Sequence, residues 1–368
     1  MTYDFSKLTA YLDGLHSEKG LPAGDIIVYR NGQPVCRHAV GSAAPNTLYY
    51  LFSCTKPVTA AAGMQLVERG IIGLDDPVCR YLPAYGKALY RQQEVLLPVG
   101  DKLKVRHLFT MSGGLNYNCE SPAIRRVLEA NPNASTLDIL PAFAEDTPLE
   151  FLPGTKFRYS LCLDVLAGVI EVAAGMRFAD YLQQNIFDPL GMKDATLHLP
   201  DEKAGRLAGA YTVKDGRITE TPVGIGPFGI SPAYESGGAG LVCSASDYGK
   251  FAAAMSLGGI SPDGVRILES KTVDLLRSPQ MTEQQDFLCS MGLGYAYGFG
   301  VRTLVSKEKG AKSHIGEFGW DGAAGAFILM DPDARVAIVY TQQVLGWPGY
   351  FGLMHIPMRD LTYEALGL

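Results

Sequence analysis

Two runs of β-branched residues near opposite ends of the chain constrain its fold more than any other feature. Asp25-Ile26-Ile27-Val28-Tyr29-Arg30 and Pro34-Val35-Cys36-Arg37-His38-Ala39-Val40 flank Asn31-Gly32, a pair that takes up positive φ readily and so favours a two-residue hairpin turn. Residues 326–330 and 335–340, both strongly apolar, flank Asp331-Pro332-Asp333 in the same way. Hairpins from both termini predict one antiparallel sheet. An amphipathic helix carrying Phe5, Leu8, Leu12 and Leu15 precedes the first hairpin, and a second helical pattern over 358–366 follows the last. Between about 81 and 240 the pattern changes to helices, over 163–174 and 178–185, separated by Pro and Gly loops. The expected organisation is therefore a sheet-containing domain of residues 1–80 and 241–368, with a mainly helical domain of residues 81–240 inserted into it. A cleft between them is the expected place for a site.

Composition excludes several partners. The 32 Lys and Arg do not match the 38 Asp and Glu, so the formal charge of -6 leaves no surplus to neutralise a nucleic-acid backbone. No stretch reaches the ~18 apolar residues of a membrane span, and residues 1–20 lack the basic and apolar regions of a secretory signal. Seven cysteines, at 36, 54, 79, 119, 162, 243 and 289, form no CxxC pair. They read as reduced thiols in a cytoplasmic protein. His16, His38, His107, His198 and His355 form no HxH or HExxH pair, so neither a metal nor another cofactor is expected. Cys54 is the one thiol with a reactive neighbourhood, because it lies inside the first motif described next.

That motif is Ser53-Cys54-Thr55-Lys56, at the head of a segment that is apolar on nearly every side until Gln65. A helix of that kind is buried, and Lys56 lies one turn from Ser53 on the same face. A desolvated lysine loses basicity and can accept a serine proton, and the Ser53 N–H is positioned to stabilise an oxyanion. The plain alternative is a helix-capping serine and a solvated lysine. A second segment, Phe157-Arg158-Tyr159-Ser160, sits in a turn before the helix at 163–174, where the Tyr159 hydroxyl can relay protons or simply pack at a loop. The third is Phe318-Gly319-Trp320-Asp321-Gly322-Ala323-Ala324-Gly325, whose small residues admit a substrate to a strand edge. The N–H of Ala323 is the candidate for a second oxyanion donor. The glycine-rich segment 292–300 has neither phosphate-loop nor dinucleotide spacing and reads as a closely packed strand.

Taken in order, these segments resemble the serine beta-lactamase and penicillin-binding-protein superfamily, whose S-x-x-K motif is followed by second and third motifs. The runs Val105-Arg106-His107-Leu108-Phe109-Thr110-Met111-Ser112-Gly113-Gly114-Leu115, Ile186-Phe187-Asp188-Pro189-Leu190-Gly191-Met192 and Gly237-Gly238-Ala239-Gly240-Leu241 extend the resemblance over nearly the whole chain. Two departures point to one branch. Leu161 replaces the Asn of the usual Tyr-x-Asn, and Trp320-Asp321-Gly322 is similar to the Trp-Gly-Gly of the family VIII carboxylesterases. His314-Ile315-Gly316 is the rival third motif, since it satisfies His-x-Gly. The resemblance implies an α+β fold of the beta-lactamase/transpeptidase type, an antiparallel sheet flanked by helices with the inserted helical domain. It implies a serine hydrolase working through an acyl-enzyme on a small-molecule ester or amide. Ser53 would be the nucleophile, Lys56 and Tyr159 its bases in an order left open, and the Ser53 and Ala323 N–H groups the oxyanion hole. Beta-lactam hydrolysis, D-amino-acid peptide cleavage and acyl transfer are the rival activities. A non-catalytic module binding a cell-wall fragment is the rival of another class, against which intact Ser53, Lys56 and Tyr159 argue. An ionised Asp321 beside the third motif is expected to repel substrate carboxylates and so to favour neutral esters.

Overall fold

Strand residues such as Ile26 and Ile27 point to opposite faces of a sheet, and a sheet covered on both faces needs apolar residues at every position. The computed structural model, which describes residues 3–283 and 285–368, shows that arrangement. Seven antiparallel strands run in the order Gln33–Gly41, Ala23–Arg30, Val336–Thr341, Phe327–Asp331, Phe318–Asp321, Arg302–Leu304, Tyr295–Tyr297. The two terminal hairpins meet at its centre, where Ile27 pairs with Val339 and Val339 with Ile328. A register shift between Val28 and Tyr29 bends the first hairpin.

Ile26, Val28, Val336 and Ile338 face one core with Leu8, Leu12 and Leu15 of the helix Ser6–Ser17 and Met358 and Tyr363 of the helix Ile356–Leu366. Ile27, Tyr29, Ala337 and Val339 face the other, larger core. That core takes in the helices Thr55–Glu68, Cys162–Ala174 and Ala245–Ser256 and runs without a break into residues of the 81–240 segment such as Phe109, Leu140 and Phe178. Besides its helices, this segment carries two short ladders that the hydrophobic pattern does not announce. Leu89–Gln92 pairs with Val95–Pro98, and Ala210–Lys214 with Arg217–Thr221. Their exposed, mixed polar sequences give weak period-two signals.

The buried helix runs Thr55–Glu68, and Ser53 lies before it in a 3-10 turn, Phe52–Cys54. The segment 292–300 contains the strand Tyr295–Tyr297, and Gly300, at φ 74°, packs so closely that a Cβ there would lie 2.8 Å from Ala60 Cβ. Among the described residues no helix is long and apolar enough to cross a membrane.

One half-buried histidine is expected to make the fold's stability depend on pH. The Lys104 N–H donates to His107 Nδ1 at 3.1 Å, which needs an unprotonated nitrogen. Burial, helped by Arg106 and Lys104, pushes the His107 imidazolium pKa down to about 4 from an ordinary 6.5. Between those values the unfolded chain binds the extra proton, so stability falls as pH drops from about 6.5 to 4. Urea midpoints of the His107→Gln variant should fall less steeply across that window than those of the parent. Parallel slopes would remove His107 from the account.

Candidate active site

The Ser53 turn is held in a costly conformation. Phe52, a bulky residue, has φ 47°, a left-handed geometry worth about 1–3 kcal/mol of strain. Three contacts hold it: Thr55 Oγ1 donates to Phe52 O at 2.6 Å, Tyr248 Oη donates to Cys54 O at 2.7 Å, and the Leu241 N–H donates to Thr55 Oγ1 at 3.0 Å. Cys54 is fully buried, with Sγ 3.6 Å from Trp320 O, and burial pushes its thiol well up from the ordinary value. It packs rather than reacts.

Lys56 is fully buried. Its Nζ lies 3.0 Å from Ser53 Oγ and donates to Gly238 O at 2.8 Å, and it stands 4.7 Å from the centroid of the Tyr159 ring. The Gly238 segment is shaped by a residue to which the motifs assign no role. Asp164, in the first turn of the helix Cys162–Ala174, accepts from Tyr234 Oη at 2.9 Å and Ser236 Oγ at 2.6 Å, and Ser236 Oγ accepts from the Ala239 N–H at 2.9 Å. Burial raises the Asp164 pKa, while Ser236, Lys56 and Tyr234 oppose the rise. A buried acid facing a Gly-Gly segment is a signal that spacing alone can carry only once the two are known to meet.

Tyr159 arrives from the turn before that helix and meets the end of the strand Phe318–Asp321. Trp320 Nε1 donates to Tyr159 Oη at 2.9 Å, with the rings 5.5 Å apart, and Tyr297 and Tyr117 pack edge-on or tilted against the pair. Ser53, Tyr159, Trp320, Asp321 and Ala323 line one cavity of about 410 Å³. Its other walls include Leu288, Met291, Leu293, Tyr350 and Phe351. Ala323 is exposed, and neither its N–H nor that of Ser53 has a backbone acceptor among the described residues. Gly322 is buried beneath the cavity, its N–H spent on Ala326 O at 2.8 Å.

Two expectations are corrected. His314 does not lie on the strand or among the cavity residues; its Nδ1 is 2.9 Å from the buried carboxylate of Asp331, in the loop before Phe318–Asp321. Trp320, not His314, lines the cavity. Asp321 does line the cavity, yet it is not an unpaired charge aimed at substrate. Its Oδ2 accepts from Arg302 Nη1 at 3.1 Å and its Oδ1 lies 3.1 Å from His355 Nδ1. Burial opposes its ionisation, but Arg302 and His355 outweigh that and hold the carboxyl below the usual range. Arg302 and His355 come from segments with no motif, so sequence spacing does not reveal them. No cluster of His, Cys, Asp and Glu able to hold a metal occurs among the described residues.

The arrangement places a serine hydroxyl, a buried amine, a phenol and two free amides around one apolar cavity, the groups needed for acyl transfer through a covalent serine ester. The beta-lactamase family profile matches residues 8–361. The chain belongs to the beta-lactamase family. It is a serine hydrolase with that family's α+β architecture. Among its relatives, esterase EstB of Burkholderia gladioli is 29% identical, with 97% of this chain and 95% of that protein covered. Acyltransferase CalJ of Penicillium decumbens is 26% identical over 84% of this chain and 79% of its own length. The structure of EstCE1, described as a hydrolase with promiscuous acyltransferase activity, superposes with a TM-score of 0.81 over 98% of both chains at 25% identity.

The Gly238 contact yields a measurable consequence. A Cβ at Gly238 would stand 2.5 Å from Asp164 Oδ2, an atom in a buried, hydrogen-bonded group that has little room to yield. Gly238→Ala should therefore cost about 1–3 kcal/mol, read as a lower urea midpoint at unchanged slope, and should slow ester turnover by moving the Gly238 carbonyl from Lys56. A variant with parent-like midpoint and rate would show that this segment is looser than its contacts imply.

Proposed function

We propose that the chain is a carboxylesterase acting on small neutral esters through an acyl-enzyme at Ser53. The contact that carries this reading is the 3.0 Å approach of a fully buried Lys56 Nζ to Ser53 Oγ. Ser53 Oγ attacks the ester carbonyl carbon while its proton passes to Lys56, and the carbonyl oxygen, now an oxyanion, is met by the Ser53 and Ala323 N–H groups. The C–O bond to the alcohol then breaks, and the departing alkoxide takes a proton from Tyr159, which the ammonium of Lys56 replaces. The Trp320 N–H donated to Tyr159 Oη holds the phenol in place at the cavity wall. Water enters the vacated place and repeats the steps in reverse, releasing the acid and freeing Ser53.

The neutral-ester preference rests on the third motif. Trp320 stands where most relatives in the superfamily carry a cation, and the one arginine lining the cavity, Arg302, is already paired with Asp321. A substrate carboxylate would find no free positive partner among the described lining residues. The preference therefore follows from an absent cation rather than from repulsion by Asp321.

Acyl transfer to an alcohol is a second reading. The largely apolar cavity wall of Leu288, Met291, Leu293 and Phe351 favours it by lowering water's advantage as acceptor, and so do the names of CalJ and EstCE1. The seven free cysteines support the cytoplasmic placement. The division near residues 80 and 240 belongs to the same proposal, with Tyr159 supplied by the inserted part and Ser53 and Trp320 by the sheet part.

A fluorophosphonate should add one label, mapped to Ser53, and Ser53→Ala should lose both the label and ester turnover. Tyr159→Phe should keep the label but turn over a non-activated ester ~10²-fold to 10⁴-fold more slowly. Full turnover in Ser53→Ala would end the acyl-enzyme reading. For substrate charge, matched neutral and anionic esters and a penicillin should rank in that order of kcat/KM. A penicillin hydrolysed as efficiently as a neutral ester would reassign the activity, and ester product formed with an added alcohol would select transfer.

A further inference from the structure

The turn that carries Ala323 is spanned by one imidazole. His355 is fully buried, stacked on Phe327 with centroids 4.8 Å apart and planes at 19°, and bordered by Tyr350 and Phe351 at 5.2 and 6.1 Å. That ring environment leaves it little rotational choice. Its Nε2 lies 3.0 Å from the carbonyl oxygen of Gly325, and its Nδ1 lies 3.1 Å from Oδ1 of Asp321. Asp321 and Gly325 are the two ends of the turn with Ala323 between them. Asp321 Oδ1 and His355 Nδ1 form no aligned hydrogen bond with any of the described residues, so their 3.1 Å approach is a close contact between two buried polar atoms, each the other's nearest opposite group.

The rest of the turn is tied in the same manner. Gln342 Nε2 and the Val344 N–H both donate to Ala324 O, at 3.0 and 3.1 Å, and Gln342 is itself oriented by Tyr340 Oη at 2.7 Å. The other Asp321 oxygen is held by Arg302. Gly325, at φ 94°, leaves no room for a side chain, since a Cβ would come within 2.0 Å of Gln342 Nε2. In a turn so secured on its carbonyl side, the Ala323 N–H has no backbone acceptor among the described residues, and Ala323 stands at the cavity wall. His355 touches both ends. It belongs to a single π-helical turn, Phe351–His355, whose Phe351 also walls the cavity.

We infer that His355 is a positioning residue for the oxyanion hole: by bridging Asp321 and Gly325 it fixes the distance and direction of the Ala323 N–H relative to Ser53. This rests on the proposed acyl-enzyme reading, in which that N–H meets the oxyanion. His355 touches no reacting atom. An error of about 1 Å in an oxyanion donor can cost ~10²-fold in rate, and the donor is stressed most in the tetrahedral state, so the effect belongs in kcat rather than KM.

The experiment compares the parent with His355→Ala, His355→Gln, Asp321→Asn and the His355→Gln/Asp321→Asn double variant, using a short neutral ester and a boronic acid that forms a tetrahedral adduct with a serine. Parent labelling at Ser53 and parent turnover are established first; if they fail, the acyl-enzyme reading falls and not this inference. The expected result is a ~10-fold to 100-fold loss of kcat in His355→Ala with KM changed less than threefold, and a parallel loss of boronate affinity. His355→Gln, which can still donate to Gly325 O, should recover part of both. Asp321→Asn should reproduce the kcat-selective loss from the other end of the bridge. The double variant should lose no more than the worse single, because both substitutions break one bridge. If His355→Ala does not fold, the Gln and Asn variants carry the test alone. Folded variants with unchanged kcat, a loss confined to KM or melting temperature, or boronate affinity that stays at the parent value while kcat falls would overturn the inference.

Discussion

Burying an amine without a paired carboxylate is expensive, and the placement of Lys56 is the constraint around which the rest of the site is built. Its Nζ is satisfied by two oxygens, those of Ser53 and Gly238, with the Tyr159 ring below. Meeting that requirement takes a helix sunk in the larger core, a Gly-Gly segment able to bring a carbonyl close, and a buried Asp164 to hold the segment through Tyr234 and Ser236. The strained φ at Phe52 follows from the same demand, because the chain must leave the strand Leu48–Tyr50 and enter a buried helix within a few residues. A site organised in this way is rigid by construction: displacing one partner leaves a buried polar group exposed to no water and no acceptor.

The opposite wall is solved with different physics. The end of the strand Phe318–Asp321 offers an indole, whose N–H orients Tyr159, and beyond it the buried ion pair of Arg302 and Asp321. Asp321 sits between Arg302 and His355, and Glu317 receives the Tyr295 hydroxyl at 2.7 Å beside Arg359. Paired charges leave little net field in the cavity while their hydrogen bonds fix backbone positions. An apolar cavity floored by compensated charges suits a neutral ester better than an anion, and that is a property of the pairs rather than of any one residue.

How much of this the sequence discloses varies with the range of the interaction. The Asn31-Gly32 hairpin and the pairing of both termini in one sheet are readable because turn chemistry and β-branched runs are local signals, and the structure places Ile27 beside Val339 accordingly. Ser53 and Lys56 are readable because one helical turn separates them. Tyr159, Trp320 and Ala323 are identifiable as candidates from their own short motifs, and the structure brings them to one cavity with Ser53. His314 also satisfies a motif on paper but is drawn away by Asp331, a partner 17 residues distant. The short ladders at 89–98 and 210–221 lack a buried face strong enough to impress a period on the sequence.

The chain by itself determines the hairpins and the buried helix with its serine and lysine, and hence the chemical class of the site. Tertiary structure alone decides which charges are neutralised and which backbone amides stay free. Asp321 reads as a repulsive anion until Arg302 and His355 are found beside it, and His355 reads as an isolated histidine until its ring is seen between Asp321 and Gly325. The reason is physical. Turn and helix preferences are set by neighbours a few bonds away, whereas the state of a buried charge depends on groups 19 to 34 residues away in sequence that only packing brings within 3.1 Å.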